Sequence, residues 1–298
     1  TKKDESIIFR YSVTATTRGR HLLGPSQITS LYPFLLVSRN SIEENYSTIL
    51  IYPEISRIMN FPTYEQILTS SSNKIITTIG GSNEFYGIRE YQSGDSIRII
   101  DWKVSARFNK LVVKEFEKQL GHSSYIILDI SSEGLIGSGA DSNFERSINI
   151  AASIIKNRID NNDNIGMIWG RDYIFPSTGH EQLYAILNNL ALLKADKMFG
   201  LKDSFEKAEN LVETESVLII ICKKWKKEYT YYMNLFRAKK VKVIFIYLIP
   251  ESYLGSVSRV KLRKDVEDEL SEIALTGVKL YPYFKEDLIS EIFNQVTK

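Results

Sequence analysis

The sequence predicts a doubly wound α/β domain preceded by a smaller β-rich domain, and three observations carry that expectation. Two continuous apolar runs rich in β-branched residues, Val217–Cys222 and 243–249, suit strands buried on both faces of a parallel sheet. Strand-length runs alternate with helical stripes from residue 125 to the C-terminus, the pattern of successive βαβ units. The first 60 residues instead hold short β-rich stretches punctuated by Gly24-Pro25, Tyr32-Pro33 and Pro53, with no long amphipathic helix.

In chain order, residues 7–15 alternate as a strand, Arg18-Gly19-Arg20 reads as a turn, and residues 48–52 form another β run. Residues 54–88 read as a connector, with a short helix at 65–69 and loop-like segments at 70–73 and 80–83. Residues 125–129 open the α/β domain as a strand ending in an acid. A capping box, Ser142 with Glu145, starts a helix through Ala151, Ile155 and Ile159. Ile165–Trp169 is the next strand. Thr178 with Glu181 forms a second capping box, ahead of the stripe Leu183, Ile186, Leu187 and Leu190. Asp203 with Glu206 caps a third helix. Beyond the two long apolar strands, Val266, Leu270 and Ile273 mark a helix, 278–283 a strand, and 288–296 a closing helix. The divisions are 1–60 for a sandwich-like β-rich domain, 61–120 for the connector, and 121–298 for the α/β domain.

At 298 residues, 43% hydrophobic and 25% charged, the chain has the composition of a globular protein large enough for a core without staples. Its 38 Lys and Arg against 36 Asp and Glu give a net charge of +2, which argues against nucleic-acid binding. The one cysteine, Cys222, excludes an intrachain disulfide and a cysteine-built zinc site. His122 and His180 each have a serine nearby but no triad spacing.

In an open parallel sheet, ligands sit at the carboxyl ends of the strands. There the sequence places Asp129, Ser131 and Glu133 at alternate positions, followed by a glycine-containing loop, 134–139. Three such oxygen donors suit a hard cation such as magnesium; the bland alternative, which residue types alone favour, is a carboxylate capping loop amides. The loop has neither a phosphate-binding Gly-Lys-Ser/Thr pattern nor a dinucleotide fingerprint. A lysine cluster at 223–227, interrupted by Trp225, follows the Val217–Cys222 strand at an expected helix start, where cations oppose the helix dipole. It suits an acidic partner, although a solvated loop is the simpler reading. The segment 89–117 packs both charge signs around Trp102 and reads as a clasp between domains or a partner surface.

That segment carries a family resemblance. Arg89-Glu90-Tyr91-Gln92-Ser93-Gly94-Asp95-Ser96-Ile97-Arg98, then Ile100-Asp101-Trp102-Lys103, Ser105-Ala106-Arg107 and 111–116, closely resemble the signature of the domain-of-unknown-function family numbered fifty-eight. The order continues into Leu128-Asp129-Ile130-Ser131-Ser132, and upstream Arg18-Gly19-Arg20 and Gly24-Pro25 fit the family's β-rich region. The resemblance implies a von Willebrand A-like, Rossmann-like doubly wound sheet. It also implies a non-enzymatic interaction module associated with MoxR-type AAA+ ATPases, which assist assembly or remodelling of other proteins. Members commonly carry membrane helices ahead of the β-rich region, so an anchor upstream of Thr1 and a place on the cytoplasmic side of the membrane are expected.

The resemblance implies an adhesion-type metal site of the form Asp-x-Ser-x-Ser, with a threonine from another loop and a further aspartate. Here Asp129 and Ser131 match, Glu133 replaces the last serine, Thr178 is the threonine candidate, and Lys223 and Lys224 stand where the aspartate belongs. A degenerate site with no resident metal is therefore expected, its partner-binding residues being Asp129, Ser131, Glu133, Thr178, Lys223 and Lys224. The interdomain signature consists of Arg89, Glu90, Tyr91, Gly94, Asp95, Arg98, Asp101, Trp102 and Arg107. The alternative is a magnesium-dependent hydrolase working through Asp129 and Glu133.

Overall fold

A computed structural model describes residues 10–31, 38–62, 85–90, 102–108, 110–116, 123–254 and 266–294. Near the N-terminus, β1 (Gly19–Leu23), β2 (Ser26–Ser30), β3 (Arg39–Glu43) and β4 (Ser47–Ile51) pair as two antiparallel ribbons, β1 with β4 and β2 with β3. These are separate two-stranded sheets, and every residue of β2 and β3 is exposed. Residues 10–15 take no regular structure, and the expected turn at Arg18 is the entry to β1. Arg18 has other business: its guanidinium pairs at two points with Glu145, at 2.8 and 2.9 Å, and donates to Leu190 O and Ala191 O.

Farther along, β5 (Phe85–Glu90) pairs antiparallel with β6 (Val112–Phe116), and α1 (Trp102–Phe108) lies between them in sequence. Ser105 ties α1 to β6, its hydroxyl accepting from Val112 N and donating to Val112 O. The expected helix at 65–69 lies outside the described residues.

The α/β unit runs β7 (Ser124–Leu128), α2 (Asn143–Asp160), β8 (Ile165–Trp169), β9 (Asp172–Ser177), α3 (Gly179–Leu192), α4 (Leu201–Leu211), β10 (Val217–Cys222), α5 (Tyr229–Ala238), β11 (Lys242–Leu248), α6 (Glu267–Leu275) and β12 (Lys279–Tyr283). Its six-stranded sheet has the order β12-β11-β10-β7-β8-β9 and is parallel except for β9. This is a Rossmann-like α/β arrangement, with the β-rich region as a smaller companion.

Alternation along each strand splits the core in two. Ile126, Leu128, Ile219, Ile221, Ile244 and Ile246 pack with α2 and α3 on one face. Tyr125, Ile127, Leu218, Ile220 and Phe245 pack with α4, α5 and α6 on the other. Each such side chain contributes about 1.5–3 kcal/mol on leaving water, which explains why these strands are apolar throughout.

Ser142 caps α2 as expected, accepting from Glu145 N at 3.2 Å, while Glu145 itself turns to Arg18. Thr178 sits at the N-cap of α3 without a side-chain bond, and α4 begins after Gly200, with Asp203 accepting from Gly200 N. Strand β9 is an addition to the expected list. It returns from β8 through Gly170, and Gly166 is needed there because a Cβ would stand 2.5 Å from Ile174 O. The edge strands β9 and β12 each contain a proline, Pro176 and Pro282.

The closing helix expected at 288–296 is a single 3₁₀ turn, Ile289–Glu291, with 295–298 outside the described residues. Ile289, Ile292 and Phe293 nevertheless bury against the α2 face. Ile58 and Phe61 join the same cluster, Phe61 meeting Phe293 edge-on with ring centroids 4.6 Å apart. Residues 58–61 thus pack with the α/β core. No helix among the described residues is long and apolar enough to cross a membrane.

Candidate functional site at the central carboxyl end of the sheet

The chain leaves β7 for β8 on one side and returns to β10 on the other, so strand order reverses between β7 and β10. At such a reversal the flanking connections diverge and open a crevice over the carboxyl ends. The first residues beyond the two strands are Asp129 and Lys223.

Both are buried, at 1% and 0% exposure. Asp129 Oδ1 accepts from Ser131 N at 3.0 Å and from Ser131 Oγ at 2.6 Å. Its Oδ2 accepts from Lys223 N at 3.2 Å and lies 3.4 Å from the Lys223 ammonium. That ammonium also donates to Asp129 O, and it stands 5.3 Å from the centroid of the Phe144 ring. A lysine's three donors are thereby directed at a carbonyl, a carboxylate and an aromatic face. Burial lowers the Lys223 pKa, and the facing Asp129 charge opposes that shift. The neighbouring Cys222 thiol donates to Lys224 O, and burial pushes its pKa well up.

Above this floor lies an exposed rim. Glu133 takes Lys224 on one oxygen at 2.8 Å and Lys226 on the other at 2.6 Å. These two hydrogen-bonded ammonium groups pull its carboxyl down to about 2, although its side chain is 48% exposed. Asn143, at the start of α2, shapes the loop between: its side chain donates to Gly134 O and accepts from Ile136 N.

The α3–α4 connection forms the far wall. Asp196 N donates to Ile130 O, and Ser132 N donates to Asp196 O, extending the β7 exit by a short parallel bridge. The Asp196 carboxylate then accepts from Met198 N and Phe199 N, turning the chain into α4. A cleft of about 220 Å³ results, lined by Ser131, Glu133, Phe199, Lys202, Lys224 and Tyr229 among others.

The expected partner-binding residues divide accordingly. Ser131, Glu133 and Lys224 line the cleft, whereas Asp129 and Lys223 form its buried floor. Thr178 belongs elsewhere and its place in this site is corrected. Ser177 pairs with Ile165, and Ile165 with Ser124, so Thr178 follows the sheet's amino edge, opposite Asp129. The cause is β9, which runs antiparallel and returns the chain to that edge. Of the signature residues, Arg89 and Glu90 lie on β5, and Trp102 and Arg107 are exposed on α1, Trp102 at 62%. Tyr91, Gly94, Asp95, Arg98 and Asp101 lie outside the described residues.

Asp196 and Asn143 were not among the candidates, because both act through backbone groups that no residue pattern announces. Burial of Lys223 did have a signal. Pleating places residue 223 on the same face as Ile219 and Ile221, toward α2.

A divalent cation does not suit these residues. Asp129 Oδ1 is committed to Ser131, Oδ2 to Lys223, and Glu133 is turned to two lysines. Among the described residues no three His, Cys, Asp or Glu side chains group as a metal site. An ammonium already standing by the carboxylate repels a second cation.

The chain is 25% identical over 199 residues to "Uncharacterized protein YeaD" of Bacillus subtilis strain 168, covering 64% of this chain and 47% of that one. It thus spans about half the length of that curated relative. Among solved structures, the conserved hypothetical protein BatB from Bacteroides thetaiotaomicron matches at 17% identity with a TM-score of 0.33, over 43% of this chain and 67% of that one. The pilus adhesin SpaC from Lactobacillus rhamnosus GG, in its open conformation, matches at 8% identity with a TM-score of 0.40, over 59% and 29%. Residues 87–287 match the family described as "Protein of unknown function DUF58", and with two thirds of its length inside that match the chain belongs to this family.

Proposed function

We propose that this chain is a non-enzymatic protein-interaction module with a von Willebrand A-like α/β domain, and that its partner is a MoxR-type AAA+ ATPase acting in assembly or remodelling at the membrane's cytoplasmic face. The observation that carries the reading is the pairing of a locked floor with an exposed charged rim at the sheet's reversal point. Asp129 and Lys223 satisfy each other beneath the surface, while Glu133, Lys224 and Lys226 present alternating charge to whatever lands on the cleft. Exposed charge of this kind steers association and selects partners more than it adds raw affinity. The cleft offers Lys202, Lys224 and Lys226 to a partner's acidic side chains, with Phe199 and Tyr229 as apolar contacts.

The test is interferometry between the immobilised chain and a MoxR-type ATPase from the same organism, with nucleotide. Saturable binding weakened about tenfold or more by Lys224→Glu with Lys226→Glu supports the reading. Binding unaffected by the double replacement moves the interface away from the rim. Absence of saturable binding removes this partner.

A further inference from the structure

The Lys223 ammonium stands beside Asp129, one residue beyond β10 at the sheet's reversal point, among the residues for which the family resemblance implies an adhesion-type metal site. We propose that Lys223 is the resident cation of this site, bridging the ends of β7 and β10, and that its ammonium is what bars a metal from Asp129.

Three observations support the substitution. The ammonium reaches both the carboxylate and the main-chain carbonyl of Asp129, so it holds the β7 exit at two points. The same residue's backbone N–H donates to the Asp129 carboxylate, so strand end and side chain act together. Phe144, from the start of α2, covers the nitrogen on the helix side and leaves it with no exposure. One positive and one negative charge already balance in a buried space. An added dication would meet a like charge at short range in a poorly screened environment.

Reversal of the sign at position 223 should therefore create what wild type lacks. Asp129 and a carboxylate from Lys223→Asp would face each other across the strand ends, with the Ser131 hydroxyl 2.6 Å from Asp129 as a third oxygen. Two carboxylates and a hydroxyl, completed by water, are a donor set for a hard dication.

The experiment is titration of Mn²⁺ alone into the full chain, followed by calorimetry, by the resonance signal of free Mn²⁺ and by the melting temperature. Wild type is expected to show no saturable binding and no change in melting. Lys223→Asp is expected to bind Mn²⁺ saturably, to melt higher with Mn²⁺ than without, and to lose both responses when Asp129→Asn is added. Lys223→Ser provides a second variant without buried like charges, expected to bind more weakly at the same place. Saturable Mn²⁺ binding by wild type that disappears in Asp129→Asn overturns the proposal. So does the absence of Mn²⁺ binding by both Lys223 variants. No partner protein enters the test, so its outcome is independent of the interaction proposed above.

Discussion

Asp129 and Lys223 lie 94 residues apart in sequence, yet they close the ends of adjacent parallel strands with a buried ion pair. Removing one member strands the other away from water, which costs about 3–5 kcal/mol for a buried pair. Lys223→Met is therefore expected to lose that much stability in urea unfolding. Lys223→Met combined with Asp129→Leu should recover a large part, because neither charge is then orphaned. A loss below about 1 kcal/mol in the single variant would mean the pair behaves as an exposed one.

Glu133 supplies a pH signature. Its folded pKa of about 2 lies below its ordinary value of 4.5, so the unfolded chain takes up the proton first on acidification. The stability it contributes is complete above about 4.5 and is lost as pH falls toward 2. Half-exposed and screened, each of its two ion pairs, to Lys224 and to Lys226, is worth about 1 kcal/mol at most. Wild type and Glu133→Gln should differ in unfolding free energy at pH 6 in low salt and converge near pH 2 or in molar salt, and a difference that persists there would contradict the assignment.

Cys222 should be inert while the chain is folded. The thiol is buried, and burial raises its pKa, so little thiolate is available to attack a reagent. Alkylation at pH 8 is expected to be negligible in buffer and complete in denaturant. Rapid labelling of the native chain would show that the end of β10 opens.

Arg18 fastens the β-rich region to the α/β unit. It pairs with Glu145 on α2 and donates to two carbonyls at the last turn of α3, where the helix's negative end favours a cation. Arg18→Ala should cost about 3 kcal/mol and speed proteolysis of the β1–β4 ribbon. Arg18→Lys should recover only part, since an ammonium cannot grip a carboxylate at two points while reaching both carbonyls. Unchanged proteolysis in Arg18→Ala would assign the docking to other contacts.

Much of the α/β unit was legible because its strands are buried on both faces. Continuous β-branched runs such as Val217–Cys222 admit few other readings, and β7, β8, β11 and β12 begin and end within one residue of expectation. Strand β9 escaped because Pro176 and half-exposed positions give an edge strand no such run. Missing it also misplaced Thr178, since one antiparallel return exchanges the two ends of the sheet. At the site, Asp129, Glu133 and Lys224 were legible from strand-end placement. Lys223 stood beside them as a candidate, but its burial was not legible, because charged residues are ordinarily exposed and only its shared face with Ile219 and Ile221 pointed inward.

The prolines in the two edge strands reach beyond the fold itself. Pro176 in β9 and Pro282 in β12 each remove a backbone donor from a margin where another chain's strand would otherwise zip on. Growth of the six-stranded sheet by strand addition is discouraged at both of its borders. Any contact with another chain at these two borders falls to side chains, where single substitutions retune it without rebuilding the backbone.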